Sequence, residues 1–93
     1  MTLNPDQLPV LHNPERECFE IHLGGDLAVL EYQIERNTIY FLHTGVPVEY
    51  EGQGIASRLA RAGLDFARQK GYRIVAQCSY VEAYLRRHPE YLA

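Results

Sequence analysis

Two glycines and an alanine in the segment 51–56 form the most informative pattern of the chain. They stand between a predicted strand and the start of a strongly amphipathic helix. Because glycine has no Cβ, its backbone N–H can come close to a bulky anion, and a helix N-terminus adds a partial positive charge. The segment therefore predicts a phosphate-binding turn. The alternative is an ordinary strand-to-helix turn, since most glycine-bearing turns bind nothing.

Turn residues and the periodicity of apolar residues predict the strands and helices that position this turn. Strands are predicted at residues 18–23, 27–35 and 38–44, joined by turns at Gly24-Gly25-Asp26 and Arg36-Asn37. Helical spacing then relates Ile55, Leu59, Ala62 and Phe66, and Gly71 is placed as a C-terminal cap. A strand at 72–78 and a helix that begins at Ser79 and is stopped by Pro89 complete the pattern. It predicts a mixed α/β sheet fold with three antiparallel strands, a helix, a parallel strand and a closing helix.

A strand-helix-strand crossover of this length is expected to be right-handed and to return the last strand beside the third. The turn, His43 and Cys78 would then lie near the carboxyl ends of two neighbouring strands. Sheets of this kind usually bind ligands at that edge.

Length and charge limit the function. The 93 residues suffice for one small domain, predicted at 15–93 after an extended, proline-rich arm at 1–14. The net charge of −3 argues against nucleic-acid binding. We find no transmembrane-length apolar run and no signal-peptide pattern, so we expect a soluble, cytoplasmic protein with reduced cysteines. The four histidines share no ligand-like spacing with the two cysteines, which predicts no metal site.

The pattern resembles the GNAT acetyltransferases, whose core is a strand, a phosphate-binding turn Arg/Gln-x-x-Gly-x-Gly/Ala, and a helix. Residues 51–56 stand at that turn. The segments His43-Thr44-Gly45-Val46-Pro47 and Cys78-Ser79-Tyr80-Val81 resemble a small single-domain GNAT subfamily. The resemblance covers roughly residues 17–93.

This resemblance implies a GNAT-like fold, acetyl-coenzyme A as co-substrate and an amine as acceptor. The pyrophosphate would lie on the backbone amides of Gly52, Gln53, Gly54, Ile55 and Ala56. The pantetheine arm would pair with backbone groups of Thr44 and Val46, and an N–H near Val46 would stabilise the oxyanion. Arg87 could screen coenzyme phosphates, although a solvated charge is the simpler interpretation.

The resemblance also suggests catalytic residues. Cys78 could accept the acetyl group first if its pKa is lowered by the following helix N-terminus or by a histidine. His43 could be a base or activate Cys78, and Tyr80 or Tyr84 could protonate the departing sulfur. The alternatives are a buried inert cysteine, a core histidine and core aromatic residues.

Glu51 departs from the family pattern, because an acid replaces the Arg or Gln that attracts pyrophosphate. This departure and the short chain support an alternative function, a non-catalytic module that binds or senses acyl-coenzyme A. A small interaction module that binds no coenzyme is a third hypothesis. The oligomeric state is expected to be a monomer or a weak homodimer.

Overall fold

A computed structural model describes residues 7–92 of the chain. The strands are β1 (Leu11–Asn13), β2 (Cys18–Leu23), β3 (Asp26–Glu35), β4 (Thr38–Gly45) and β5 (Arg73–Ala76). The helices are α1 (Ile55–Lys70) and α2 (Ser79–Arg87), with short 3-10 turns at Val48–Tyr50 and Pro89–Leu92. The predicted fold class and element order are confirmed, with β1 as an addition.

The five strands form one mixed sheet in the order β1-β2-β3-β4-β5. β5 lies parallel to β4, and the other neighbours are antiparallel. The two predicted hairpin turns are present. Gly24 has a φ of 70°, while Arg36 and Asn37 have φ values of 50° and 65°, so the second turn has the two positive φ angles of a type I′ turn.

Strand β1 lies in the segment for which the sequence predicted an extended arm. It pairs with β2 through Leu11 and Glu20, and His12 stacks on Phe19 with ring centroids 4.3 Å apart. The arm is therefore joined to the sheet from Leu11 onward. Residues 1–6 of the predicted arm lie outside the described residues.

Both helices cover the same face of the sheet. Side chains of α1, α2, β2, β3 and β4 share one hydrophobic core, to which α2 contributes Val81, Tyr84 and Leu85. On the other face, Leu27, Glu31 and Gln33 of β3 are exposed. Neither helix of the described residues is both long and apolar enough to cross a membrane. The result is a two-layer domain with helices on one side and solvent on the other.

Strands β4 and β5 separate before β4 ends. Their parallel pairing runs from Thr38 opposite Arg73 to Phe41 opposite Ala76 and goes no further within residues 7–92. Next to this point, β4 contains a bulge. Phe41 pairs with Tyr32 and His43 with Glu31, which leaves Leu42 as the extra residue. Because a bulge bends its strand, it contributes to the gap that opens between β4 and β5.

Candidate functional site

A cavity of about 450 Å³ lies where β4, the turn before α1, and the start of α2 meet. Its walls are formed by the last part of β4, the 3-10 turn that follows, the glycine turn, and the first residues of both helices. The lining residues are Thr44, Val46, Tyr50, Glu51, Gly52, Gly54, Ile55, Ala56, Ser57 and Tyr80. The cavity therefore brings together the predicted phosphate turn and the gap between the diverging strands.

The glycine turn owes its shape to left-handed backbone conformations. Gly52 and Gly54 have φ values of 77° and 81°, which other residues rarely adopt. An added Cβ at either glycine would meet no protein atom within 4 Å, so the backbone conformation, and not crowding, requires glycine here. Gly54 is also the N-cap of α1 and has no capping side chain.

The first turn of α1 presents unpaired backbone donors to the cavity. The first intrahelical bond runs from the Arg58 N–H to the Gly54 carbonyl, so the N–H groups of Ile55, Ala56 and Ser57 have no partner within the helix. The first turn contains no acidic side chain. Free N–H groups and an uncompensated helix dipole favour an anion at this position.

Cys78 lies beside the gap and contacts β4. Its side chain is buried, and its Sγ is 3.1 Å from the hydroxyl oxygen of Thr44. The backbone N–H of Cys78 donates to the Phe41 carbonyl, where the β4–β5 pairing ends. Cys78 is the N-cap residue of α2, but its sulfur makes no capping hydrogen bond. Cys78 and Cys18 are both free thiols.

The two predicted tyrosines occupy different environments. Tyr80 is half-buried and lines the cavity. Tyr84, one turn further along α2, is buried in the hydrophobic core, where its ring stacks on His88 at 4.3 Å. Of these two tyrosines, Tyr80 is therefore the one in position to reach a ligand in the cavity.

Three further predicted residues do not line the cavity. His43 is exposed on the uncovered face of the sheet, opposite Glu31. Gln53 is exposed, and its side chain donates to the Glu49 carbonyl at 3.4 Å. Arg87 is exposed in the last turn of α2.

Sequence reasoning did not name Tyr50 and Ser57 as site residues, although both line the cavity. Tyr50 directly precedes the turn, and Ser57 is the third residue of α1, where an N–H group has no partner in the helix. Adjacency to the motif was the available signal for both. Within residues 7–92, no cluster of three or more His, Cys, Asp or Glu residues could hold a metal ion.

Comparisons with known proteins agree with this geometry. A family model described as GCN5-related N-acetyl-transferase matches residues 18–93. Protein NATD1 of Danio rerio is 36% identical over 91 residues, covering 92% of this chain and 83% of that protein. Protein NATD1 of Homo sapiens is 36% identical over 83 residues, covering 86% and 74% respectively.

Among solved structures, the solution structure of a GCN5-like protein from Staphylococcus aureus is similar at a TM-score of 0.71 and 30% sequence identity. The similarity covers 90% of this chain and 83% of that chain. The matched residues include the glycine turn, the diverging strands and Cys78. The chain therefore belongs to the GCN5-related N-acetyltransferase family.

Proposed function

We propose that the protein is an N-acetyltransferase that moves an acetyl group from acetyl-coenzyme A to an amine. The observation that carries this proposal is the cavity itself, which connects the free amides at the start of α1 to the gap between β4 and β5. A ligand with an anionic end and a long arm ending in a thioester matches both parts. Membership of an acetyltransferase family supports the same ligand.

In this proposal, the pyrophosphate of the coenzyme binds to backbone N–H groups of the turn and of the first turn of α1. Gly52 and Gly54 leave the backbone accessible, because no side chain shields it there. The residues assigned to this contact are Gly52, Gln53, Gly54, Ile55 and Ala56, with the backbone and not the side chain of Gln53 involved. Arg87 is exposed and is assigned only a long-range role, in which its charge screens the phosphates.

The pantetheine arm would continue from the turn along β4. Beyond Phe41, this strand has no β5 neighbour, so its backbone groups are open to another amide-bearing chain. Pairing with Thr44 and Val46 would add the arm to the sheet like an extra strand. An N–H near Val46 would then face the thioester oxygen and stabilise the tetrahedral oxyanion.

The acetyl group can reach the amine by two routes. In the direct route, the neutral amine attacks the thioester carbon and coenzyme A leaves as a thiolate. In the two-step route, the Cys78 thiol first exchanges with the thioester, which gives acetyl-Cys78 and free coenzyme A. The amine then attacks acetyl-Cys78 and releases the thiol. Tyr80 lines the cavity and is the proposed donor to the departing sulfur.

The acceptor would approach from the uncovered face of the sheet. In the part of the chain from residue 7 to residue 92, that face carries no helix, and the exposed imidazole of His43 lies on it. His43 could there take the proton of the incoming ammonium group through solvent. Tyr84 is assigned no contact with the ligand, because it is part of the core.

Thermal unfolding with and without coenzyme A tests the binding step. A ligand present at about 100 times its dissociation constant should stabilise the fold by about 2.7 kcal/mol. Gly54→Ala should abolish most of this shift, because the new Cβ would project into the cavity from a residue at φ 81°. Gly71→Ala is the matched control, since Gly71 has a φ of 75° at the other end of α1 and should keep the shift.

A non-catalytic module that binds acyl-coenzyme A is the second candidate, favoured by the carboxylate of Glu51 in the cavity wall. Both candidates predict the thermal shift. Release of coenzyme A thiol in the presence of a panel of amines separates them, because only the enzyme turns over. Intact mass after incubation with acetyl-coenzyme A then tests the two-step route, since an acetyl adduct that is lost in Cys78→Ala supports this route and its absence leaves direct transfer.

A further inference from the structure

Thr44 connects the buried thiol of Cys78 to the cavity. Thr44 lines the cavity, and its Oγ1 is 3.1 Å from the Cys78 sulfur. Thr44 follows the bulge in β4, and Cys78 follows the end of β5, so the contact joins two strands at the point where their backbone pairing has stopped. This contact was not apparent from sequence, which assigned to Thr44 only its backbone.

Two other groups could support a negative charge on this sulfur, and within residues 7–92 neither makes a hydrogen bond to it. The N-terminus of α2 offers free N–H groups, but the sulfur makes no capping hydrogen bond to them. His43 lies on the uncovered face of the sheet and, within residues 7–92, makes no hydrogen bond to Cys78. Thr44 is therefore the hydrogen-bonding partner that the structure provides for the Cys78 side chain.

We propose that Thr44 is a positioning residue whose hydroxyl donates a hydrogen bond to the Cys78 thiolate and holds the sulfur at the gap. A thiolate has no hydrogen to donate, so the hydroxyl must be the donor once Cys78 is ionised. In the neutral thiol either atom can donate. Because a hydrogen bond to a charged sulfur is charge-assisted, the contact to a thiolate is the stronger of the two and holds the nucleophilic form at the gap.

The functional meaning of this contact rests on the proposed acetyl transfer. In the exchange step, the Cys78 thiolate attacks the thioester carbon, a carbon–sulfur bond to Cys78 forms, and the bond to the coenzyme sulfur breaks. Coenzyme A leaves as a thiolate, so the negative charge passes from one sulfur to the other. Because Thr44 faces both the sulfur and the cavity, its hydroxyl can turn from the first thiolate to the second as the charge moves.

The first test needs no coenzyme. Protein labelled with ¹³C at the cysteine Cβ positions is titrated by NMR, and the Cys78 signal is assigned by its loss in Cys78→Ser. Thr44→Val keeps the branched shape of the side chain and removes the hydroxyl, so the apparent pKa of Cys78 should rise by about one unit. Thr44→Ser restores a hydroxyl and should return the pKa most of the way to its original value.

Thr38→Val is the matched control, because Thr38 is another half-buried threonine of the same strand. It lies opposite Arg73 and away from Cys78. It should leave the titration of Cys78 unchanged. A titration in Thr44→Val that coincides with that of the unmodified protein would overturn the proposal. So would a rise of equal size in Thr44→Ser, because the effect would then come from packing and not from the hydroxyl.

A second measurement separates this proposal from the proposed function. The rate at which acetyl-Cys78 forms from acetyl-coenzyme A should fall about threefold in Thr44→Val at a pH below the pKa of the thiol, because the thiolate fraction falls about tenfold while each thiolate becomes about threefold more nucleophilic. If the unmodified protein shows no thermal shift with coenzyme A while the NMR result holds, acetyl transfer fails and the role of Thr44 at the sulfur stands. If coenzyme A shifts the unfolding temperature, an amine releases coenzyme A thiol, and the titration of Cys78 is the same in Thr44→Val as in the unmodified protein, the proposed function stands and the role of Thr44 fails.

Discussion

Two groups at the cavity have opposite effects on the binding of an anion. The N–H groups at the start of α1 favour an anion, whereas the carboxylate of Glu51, which lines the same cavity, repels one. At about 4 Å two unit charges interact by about 1 kcal/mol in water, which corresponds to roughly a fivefold change in affinity. Glu51 is exposed, so solvent keeps its effect near this lower limit.

Replacement of Glu51 by Gln should therefore strengthen binding of coenzyme A by about three- to tenfold. Isothermal titration at low salt measures the change. The matched control is Glu49→Gln, because Glu49 is an exposed acid of the preceding 3-10 turn that does not line the cavity. The gain should shrink as salt rises. Equal affinities of Glu51→Gln and the unmodified protein at low salt would contradict the assigned position of the pyrophosphate.

Among the elements, α1 depends on close contact with the sheet. Gly63 is buried in the middle of this helix, and a Cβ there would lie 2.8 Å from the Leu30 Cδ2 and the Phe41 Cε1 atoms. Both of those side chains are fully buried in the core. The helix can lie this close to β3 and β4 only because residue 63 has no side chain.

Gly63→Ala should lower the free energy of unfolding by about 1 kcal/mol. The overlap costs about 1–3 kcal/mol, and the better helix propensity of alanine offsets about 1 kcal/mol of this. Urea denaturation followed by circular dichroism measures the difference. Gly25→Ala is the control, since an added Cβ meets nothing within 4 Å in that turn and stability should hardly change. A Gly63→Ala variant as stable as the control would show that the core can shift to admit the methyl group.

Local chemistry explains which elements could be predicted. The turns at Gly24-Gly25 and Arg36-Asn37 and the cap at Gly71 depend on a few adjacent residues, so the hairpins and the length of α1 were predictable. The bulge at Leu42 was not, because it depends on pairing with β3. The predicted last strand also extended past Ala76, since nothing in its sequence marks where β4 leaves it.

The site was predictable to a similar degree. The glycine turn, Thr44, Val46 and Tyr80 were expected at a ligand site and line one cavity, because the strand order brings them to one edge of the sheet. Side-chain direction was harder. Tyr84 is in the core, and the bulge places His43 on the uncovered face of the sheet.

On the scale of the whole molecule, charge is divided between the two layers. Six of the nine basic residues lie on α1 and α2: Arg58, Arg61, Arg68, Lys70, Arg86 and Arg87. The segment 15–35, which forms β2 and β3, carries six of the twelve acids: Glu15, Glu17, Glu20, Asp26, Glu31 and Glu35. Such a distribution suits the proposed reaction, since an anionic coenzyme would meet the helix layer and a cationic amine the sheet layer.

The N-terminal strand is joined to the rest of the molecule by His12. Its ring stacks on Phe19, lies 4.6 Å from the Phe66 ring of α1, and forms a hydrogen bond with the Tyr32 hydroxyl. Contact with these rings removes part of the water around the His12 ring and lowers its pKa below the usual value of 6.5, and the charge of Lys70 lowers it further, although His12 as a whole residue is exposed. The folded protein therefore holds His12 in its neutral form more strongly than the unfolded chain does.

This pKa difference predicts a loss of stability in mild acid. The contribution of neutral His12 is fully present above pH 6.5 and is lost as pH falls from there toward the lower pKa of the folded state, because the unfolded chain takes up a proton first. Urea denaturation between pH 8 and 5 should show this decline, and His12→Phe, which keeps an aromatic ring and removes the titrating group, should flatten it.

The carboxylate of Glu20 contributes to acid sensitivity in a different pH range. Its pKa is lowered from 4.5, chiefly by its hydrogen bond with His22, so the stability that depends on this carboxylate is lost mainly below pH 5. Parallel curves for the two proteins would mean that His12 does not carry the pH dependence, whereas a flat curve in His12→Phe assigns the acid sensitivity to the contact that holds β1 against the core.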